Sequence, residues 1–134
     1  MARDRETLYR QNILDHYKHP HNWGKLPDAD AHAEDSNPLC GDELSVDLKI
    51  TGGEVSGIGF SGQGCAICLS SASMLSDMAL GKDTKSAFAI TKQQLLSEIG
   101  IDPGPSRLKC ALLSYKVLKL AIAKYLGQKF SEPD

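Results

Sequence analysis

The residues of this chain best suited to chemistry are its cysteines: Cys40, Cys65, Cys68 and Cys110. Three of them stand at expected element boundaries. Cys40 lies in Asn37-Pro-Leu-Cys-Gly-Asp42, a turn ahead of a strand; Cys65 follows Gly62-Gln-Gly64 and opens a helix; Cys110 falls in the first turn of the last helix. Such positions can expose a sulfur. The unpaired N–H groups and positive dipole potential of a helix N-terminus favour thiolate, and thiolate is the form that binds metal or attacks sulfur. Arg107 and Lys109 flank Cys110 and add positive charge. Asp42, two residues after Cys40, offers a carboxylate. Three thiolates and one oxygen suffice for tetrahedral zinc or for a small iron–sulfur cluster. A hard carboxylate among soft thiolates should hold its contents less permanently than a fourth thiolate would. Gly41, Gly62 and Gly64 allow close backbone approach. Spacing alone also permits the reading that these are unrelated thiols.

The elements that must position these residues follow from periodicity. Tyr9, Ile13 and Tyr17, with Leu14 beside them, give a helix over residues 4–18, ended by His19-Pro20. Residues 22–42 read as an irregular loop, of a length that is usually functional or mobile. Leu44, Val46, Leu48 and Ile50 alternate as a half-buried strand, and Thr51-Gly52-Gly53-Glu54 turns it into a second strand over Val55, Ile58 and Phe60. Gly57 and Gly59 there mark a bulge or a close approach. A helix follows over residues 65–80, another over 84–100, a breaker at Asp102-Pro-Gly-Pro105, and a last helix over 106–126 with Lys116, Lys119 and Lys124 facing outward. The small residues Ala66, Ser70, Ser71, Ala72 and Ser73 let the 65–80 helix pack closely. Hairpin strands followed by a run of helices predict an α+β fold: a small antiparallel sheet with helices on one face, an α/β sandwich.

Length and composition narrow the classes. The 134 residues suit one domain spanning 1–134, with 41% hydrophobic and 24% charged residues and a net charge of −2. That balance argues against general nucleic-acid binding. No stretch approaches the roughly 18 apolar residues of a membrane span. The charged start Met1-Ala-Arg-Asp-Arg-Glu is unlike a secretory signal. The expectation is a cytoplasmic protein whose thiols stay reduced and are reactive or metal-binding rather than paired.

The motifs Asn37-Pro-Leu-Cys-Gly-Asp42, Gly62-Gln-Gly-Cys-Ala-Ile67 and Arg107-Leu-Lys-Cys110 together resemble the U-type iron–sulfur cluster assembly scaffold family of the ISC, NIF and SUF systems, over nearly the whole chain. The Leu8-Tyr-Arg-Gln and Asp15-His-Tyr-Lys-His-Pro20 runs and the Arg-x-x-Cys form are most similar to the SUF branch. The resemblance implies a scaffold or sulfur acceptor rather than a turnover enzyme. It implies Cys40, Asp42, Cys65 and Cys110 as ligands of a transient cluster of the [2Fe-2S] type, or of zinc in the isolated protein. It implies a pyridoxal-phosphate-dependent cysteine desulfurase that passes persulfide sulfur to Cys110, as in the ISC branch, or to Cys40, as in the SUF branch. Apo iron–sulfur proteins would receive the cluster.

Three departures from the family pattern bear on this. Lys109 stands where the ISC branch has histidine. Asp102-Pro-Gly-Pro-Ser106 replaces the ISC segment read by a dedicated Hsp70 chaperone, so no such chaperone is expected. Cys65 and Cys110 are 45 residues apart, without the insertion typical of the SUF branch. The main expectation is therefore a scaffold; the alternative is a zinc-dependent sulfur-transfer protein that stimulates a desulfurase and holds no cluster. A closed structural zinc module is a third reading, disfavoured by Asp42 and the neighbouring glycines.

Other features have plainer readings. Cys68 makes a Cys65-Ala-Ile-Cys68 spacing; packing as a small residue is preferred over a role as resolving thiol or alternative ligand. His16, His19 and His21 lie at or past a helix C-terminus, where histidine is structurally favoured; His32 is a weaker candidate as auxiliary ligand. Charge is segregated: residues 28–43 carry six acids and no Lys or Arg, and residues 103–131 carry six bases and no acid. These runs read as solvated faces or, around Arg107 and Lys109, as a surface that steers a desulfurase.

Overall fold

The alternation at 44–50 builds the central strand of the protein. The computed structural model describes residues 2–38 and 41–127, with the backbone alone for residues 2–5. Strand β2 (Asp42–Thr51) pairs antiparallel with β1 (Ala31–Asn37) on one side and β3 (Glu54–Gln63) on the other, in the order β1-β2-β3. Leu44, Val46 and Leu48 face the core, where Val46 sits between Ala33 and Phe60, and Leu48 between Ala31 and Ile58. Each fully buried side chain of this size contributes about 1.5–3 kcal/mol. The register slips between Lys49 and Ile50, the bulge foreshadowed by the glycines of β3. At Gly59 a Cβ would lie 2.0 Å from the Gly24 carbonyl oxygen, because residues 22–24 run along the outer side of β3 and bond to Phe60. This is the close approach that only glycine allows.

Among the described residues five helices accompany the sheet: α1 (Ala2–Lys18), α2 (Ala66–Ala79), α3 (Thr84–Phe88), α4 (Lys92–Ile99) and α5 (Leu108–Leu126). Helix α5 packs on β1 and β2, α2 on α5 and β3, and α1 on α2. The fold is α+β, as expected. No helix among the described residues is long and apolar enough to cross a membrane. Helix α2 is buried almost all round although it is rich in serine. Three of its hydroxyls are satisfied within the helix: Ser70 donates to the Ala66 carbonyl at 2.6 Å, Ser71 to the Ile67 carbonyl at 2.7 Å and Ser76 to the Ser73 carbonyl at 2.6 Å.

Several expected boundaries are corrected. The 22–42 segment is not wholly irregular, since it contains β1. Ala-His-Ala-Glu-Asp-Ser-Asn has weak strand propensity, and as an edge strand it sends only Ala31 and Ala33 into the core. Strand β3 extends to Gln63, three residues past its expected end at Phe60. The 84–100 helix is two, because Thr91 starts α4 with a capping box closed by Gln94. On α1 the buried face is Ile13 and His16, with Tyr9 partly buried, while Leu14 and Tyr17 are exposed. Lys119 does not face outward. It is buried, donates to the Phe88 carbonyl, and lies over the Phe88 ring at 4.6 Å and the Tyr115 ring at 5.0 Å. Burial lowers its pKa below the ordinary lysine value.

Candidate metal centre

Three elements converge at one end of the sheet. The β1–β2 pairing sets Asn37 opposite Asp42, so Asp42 opens β2 with the same parity as Leu44 and turns its carboxylate inward. Asp42 has 0% exposure. Its Oδ1 accepts the backbone N–H of Cys65 at 3.1 Å, and its Oδ2 is buried with no hydrogen-bond partner among the described residues. Gly64 makes the room: a Cβ there would lie 2.9 Å from Asp42 Oδ1 and 3.0 Å from Cys68 Sγ.

Cys65 is the N-cap of α2, and its sulfur accepts the Cys68 N–H at 3.5 Å. Cys110 enters from the first turn of α5. Asp42, Cys65 and Cys110 each present a ligand atom within 4.8 Å of the other two. The structure thus gathers three of the four residues singled out in the sequence. Cys40 lies outside the described residues. The expected exposure of the sulfurs is corrected: Cys65 is half-buried and Cys110 only 2% exposed. Helix α5 enters the core from its first turn, with Cys110, Ala111, Leu113 and Ser114 all buried. Arg107 and Lys109 beside it are exposed. Cys68 is fully buried in the core, as the packing reading expects.

A buried carboxylate with one oxygen free of donors among the described residues, gathered with two thiols, is a donor set short of a cation. Thiolate and carboxylate ligands fit zinc in a tetrahedral site and iron in a cluster. The residues present therefore fit either group.

His32 does not join this centre. It pairs across the β1–β2 ladder with Asp47, its Nδ1 2.6 Å from Asp47 Oδ1, some five residues along the sheet from Asp42 and therefore roughly 17 Å away. The segregated charges also prove less solvated than expected. Lys116 of α5 meets Asp35 of β1 at 2.7 Å, and this contact holds the Asp35 carboxyl below its ordinary pKa.

A second polar cluster escaped the sequence reading. His16 Nδ1 lies 2.6 Å from Ser73 Oγ, and His21 Nδ1 lies 2.6 Å from Asp77 Oδ2. Burial first, and then the neighbouring His21, push His16 below the ordinary histidine value. The helix-end placement of both histidines was legible. Nothing in the sequence joined them to Asp77, more than fifty residues away.

Comparison with known proteins gives the family of the chain. Residues 8–132 match the family model described as the NifU-like N terminal domain. The chain is 36% identical to a Bacillus subtilis (strain 168) protein named zinc-dependent sulfurtransferase SufU, covering 91% of this chain and 94% of that one. It is 32% identical to the Archaeoglobus fulgidus protein named iron-sulfur cluster assembly scaffold protein IscU 1, covering 88% of this chain and 76% of that one. A solved structure from Fervidobacterium islandicum AW-1, described as a SUF-system iron-sulfur cluster assembly scaffold, superposes with TM-score 0.73 at 25% identity, covering 83% of this chain and 93% of that one.

Proposed function

The chain belongs to the NifU-like N-terminal domain family, and on that premise we propose that it is an iron–sulfur cluster assembly scaffold whose cargo is held by Cys40, Asp42, Cys65 and Cys110. The observation that carries this reading is the Asp42 carboxylate, fully buried, with Oδ2 unpartnered among the described residues, and gathered with Cys65 and Cys110. Leaving such a group unsatisfied costs about 1–3 kcal/mol. A fold keeps that expense where a cation offsets it.

Sulfur would arrive as persulfide from a pyridoxal-phosphate-dependent cysteine desulfurase. An acceptor thiolate attacks the outer sulfur, the donor's S–S bond breaks, and the desulfurase cysteine leaves as thiolate. Cys40 and Cys110 are the proposed acceptors. Because Cys110 is buried, delivery to it requires local opening. Exposed Arg107 and Lys109 are the proposed docking residues beside it. Reduction of the persulfide to sulfide takes two electrons per sulfur. The two sulfurs of a cluster proposed to be of the [2Fe-2S] type therefore draw two electrons from two ferrous ions and two from an external thiol reductant that leaves as disulfide. Iron and sulfide assemble on the four residues, and the cluster passes to apo-proteins. The carboxylate ligand favours release over retention. No dedicated Hsp70 chaperone is part of the proposal.

The test is anaerobic reconstitution with ferrous iron, cysteine and a desulfurase. Wild type should develop sulfide-to-iron absorption and acid-labile sulfide, and Cys40→Ala, Cys65→Ala and Cys110→Ala should each lose most of it. Unchanged cluster binding in all three variants would overturn the proposal. The name of the Bacillus subtilis relative favours a second reading, a zinc-dependent sulfur-transfer role on the same residues. Stoichiometric zinc after anaerobic purification, with strong stimulation of desulfurase turnover and no cluster, would select it.

A further inference from the structure

We propose that His16, His21 and Asp77 form a second metal site, for a single borderline divalent ion such as Zn2+, at the junction of α1 and α2. Each of the three presents a ligand atom within 4.8 Å of the other two. The imidazole and carboxylate set suits zinc, and equally nickel or copper. Asp77 lies twelve residues beyond Cys65 on α2, roughly 18 Å along the helix axis. The site is therefore separate from the cysteine centre and rests on different residues.

The ligands are held by their neighbours. Ser73 Oγ lies 2.6 Å from His16 Nδ1 and accepts the His21 backbone N–H at 2.7 Å, so one side chain of α2 fixes both histidines. Asn22 Nδ2 donates to Asp77 Oδ1 at 3.1 Å and to Ser76 Oγ at 2.9 Å, which orients the carboxylate. Supporting hydrogen bonds of this kind fix the orientation of metal ligands and contribute to affinity. The two rings stand 4.5 Å apart, with planes inclined at 46°. The His21 and Asp77 side chains are 52% and 46% exposed, so an ion can enter from solvent and keep a position open to water. His16 closes the inner side. An entering ion replaces the hydrogen between His21 Nδ1 and Asp77 Oδ2, and the displaced proton passes to water.

The competing account is a purely structural stitch between the two helices, and titration separates them. Reduced, metal-free full-length protein is titrated with Zn2+ while imidazole resonances and bound metal are followed. His16 and His21 resonances should shift together on uptake of an equivalent independent of the cysteine centre. His21→Gln and Asp77→Asn alter half-exposed side chains, and each should weaken that equivalent roughly tenfold or more. Binding at the thiolate centre should stay unchanged in both. Imidazole resonances that stay fixed through the titration would overturn the proposal, as would a second equivalent bound equally well by both variants. The imidazole signal reads this site whether or not the cysteine centre takes zinc.

Discussion

Asp42 is tied to Cys65 through one carboxylate oxygen, 3.1 Å from the Cys65 backbone nitrogen, while its other oxygen is buried without a partner among the described residues. The contact sets the start of α2 against the start of β2. The other oxygen is a polar atom whose desolvation no described residue offsets. Stability and binding should therefore move in opposite directions when this side chain changes. Asp42→Asn keeps an oxygen for the Cys65 N–H and replaces Oδ2 by an amide nitrogen. In chelator, the variant should be more stable than wild type by on the order of 1 kcal/mol, because a buried amide costs less to desolvate than a carboxylate. Its zinc affinity should fall. Thermal denaturation with and without chelator, alongside a competition titration, checks both signs; a variant less stable in chelator contradicts the reading of Asp42.

Gly64 is needed for space. A methyl group there would sit 2.9 Å from Asp42 Oδ1 and 3.0 Å from Cys68 Sγ. Gly64→Ala must displace the carboxylate or the α2 N-terminus. The expected result is a loss of about 1–3 kcal/mol in stability from overpacking, with weakened metal binding and an unchanged helix content. Circular dichroism and a metal titration on the same sample would show it. A variant that binds metal as wild type does would mean that the carboxylate position is not critical.

Cys68 separates packing from chemistry. It is fully buried, and its backbone N–H donates to the Cys65 sulfur. Cys68→Ala should retain metal stoichiometry and cluster reconstitution, at a stability cost on the order of 1 kcal/mol for the small cavity. Loss of metal binding in this variant would instead make Cys68 a functional thiol.

What could be read from the sequence depended on how far apart the deciding residues were. The 44–50 alternation, the Gly52-Gly53 turn and the caps of α2 and α5 are local, and they emerged with small errors of boundary. Strand β1 did not, because its identity comes from pairing with β2 and not from its own polar composition, which has no Val, Ile or Thr. The break between α3 and α4 was legible in Thr91-x-x-Gln94 but was overridden by the apolar run on either side. At the centre, three motifs named Cys65, Cys110 and Asp42, yet their burial follows from α5 entering the core at its first turn, which no spacing states. The same holds for Lys119, whose helical position reads as exposed until α3 is packed over it.

Lys119 gives a test of that packing. Its ammonium donates to the Phe88 carbonyl at the end of α3 and lies over the Phe88 and Tyr115 rings. Lys119→Ala removes the donor and the cation–π contacts together. The expected loss is about 1–3 kcal/mol, with faster amide exchange concentrated in residues 84–91. Exchange that rises evenly over the whole protein would show that Lys119 contributes only to global stability.

The pairing of Asp35 with Lys116 links the acidic strand to the basic helix and carries a pH signature. Lys116, as the principal cause, lowers the Asp35 pKa from its ordinary 3.8. A carboxyl depressed in the folded state stabilises the protein above the unfolded value, and that contribution disappears as pH falls through the folded value. The window is therefore below about pH 4. Both side chains are about one-third exposed, which limits the pair to roughly 0.2–1 kcal/mol, screened by salt. Asp35→Asn should lose that increment at pH 7 and converge with wild type toward pH 2, and added salt should shrink the difference. Denaturant midpoints measured across pH for both proteins, at low and high salt, check the sign. A difference that persists undiminished at pH 2 would assign the effect to packing of β1 against α5 instead of to charge.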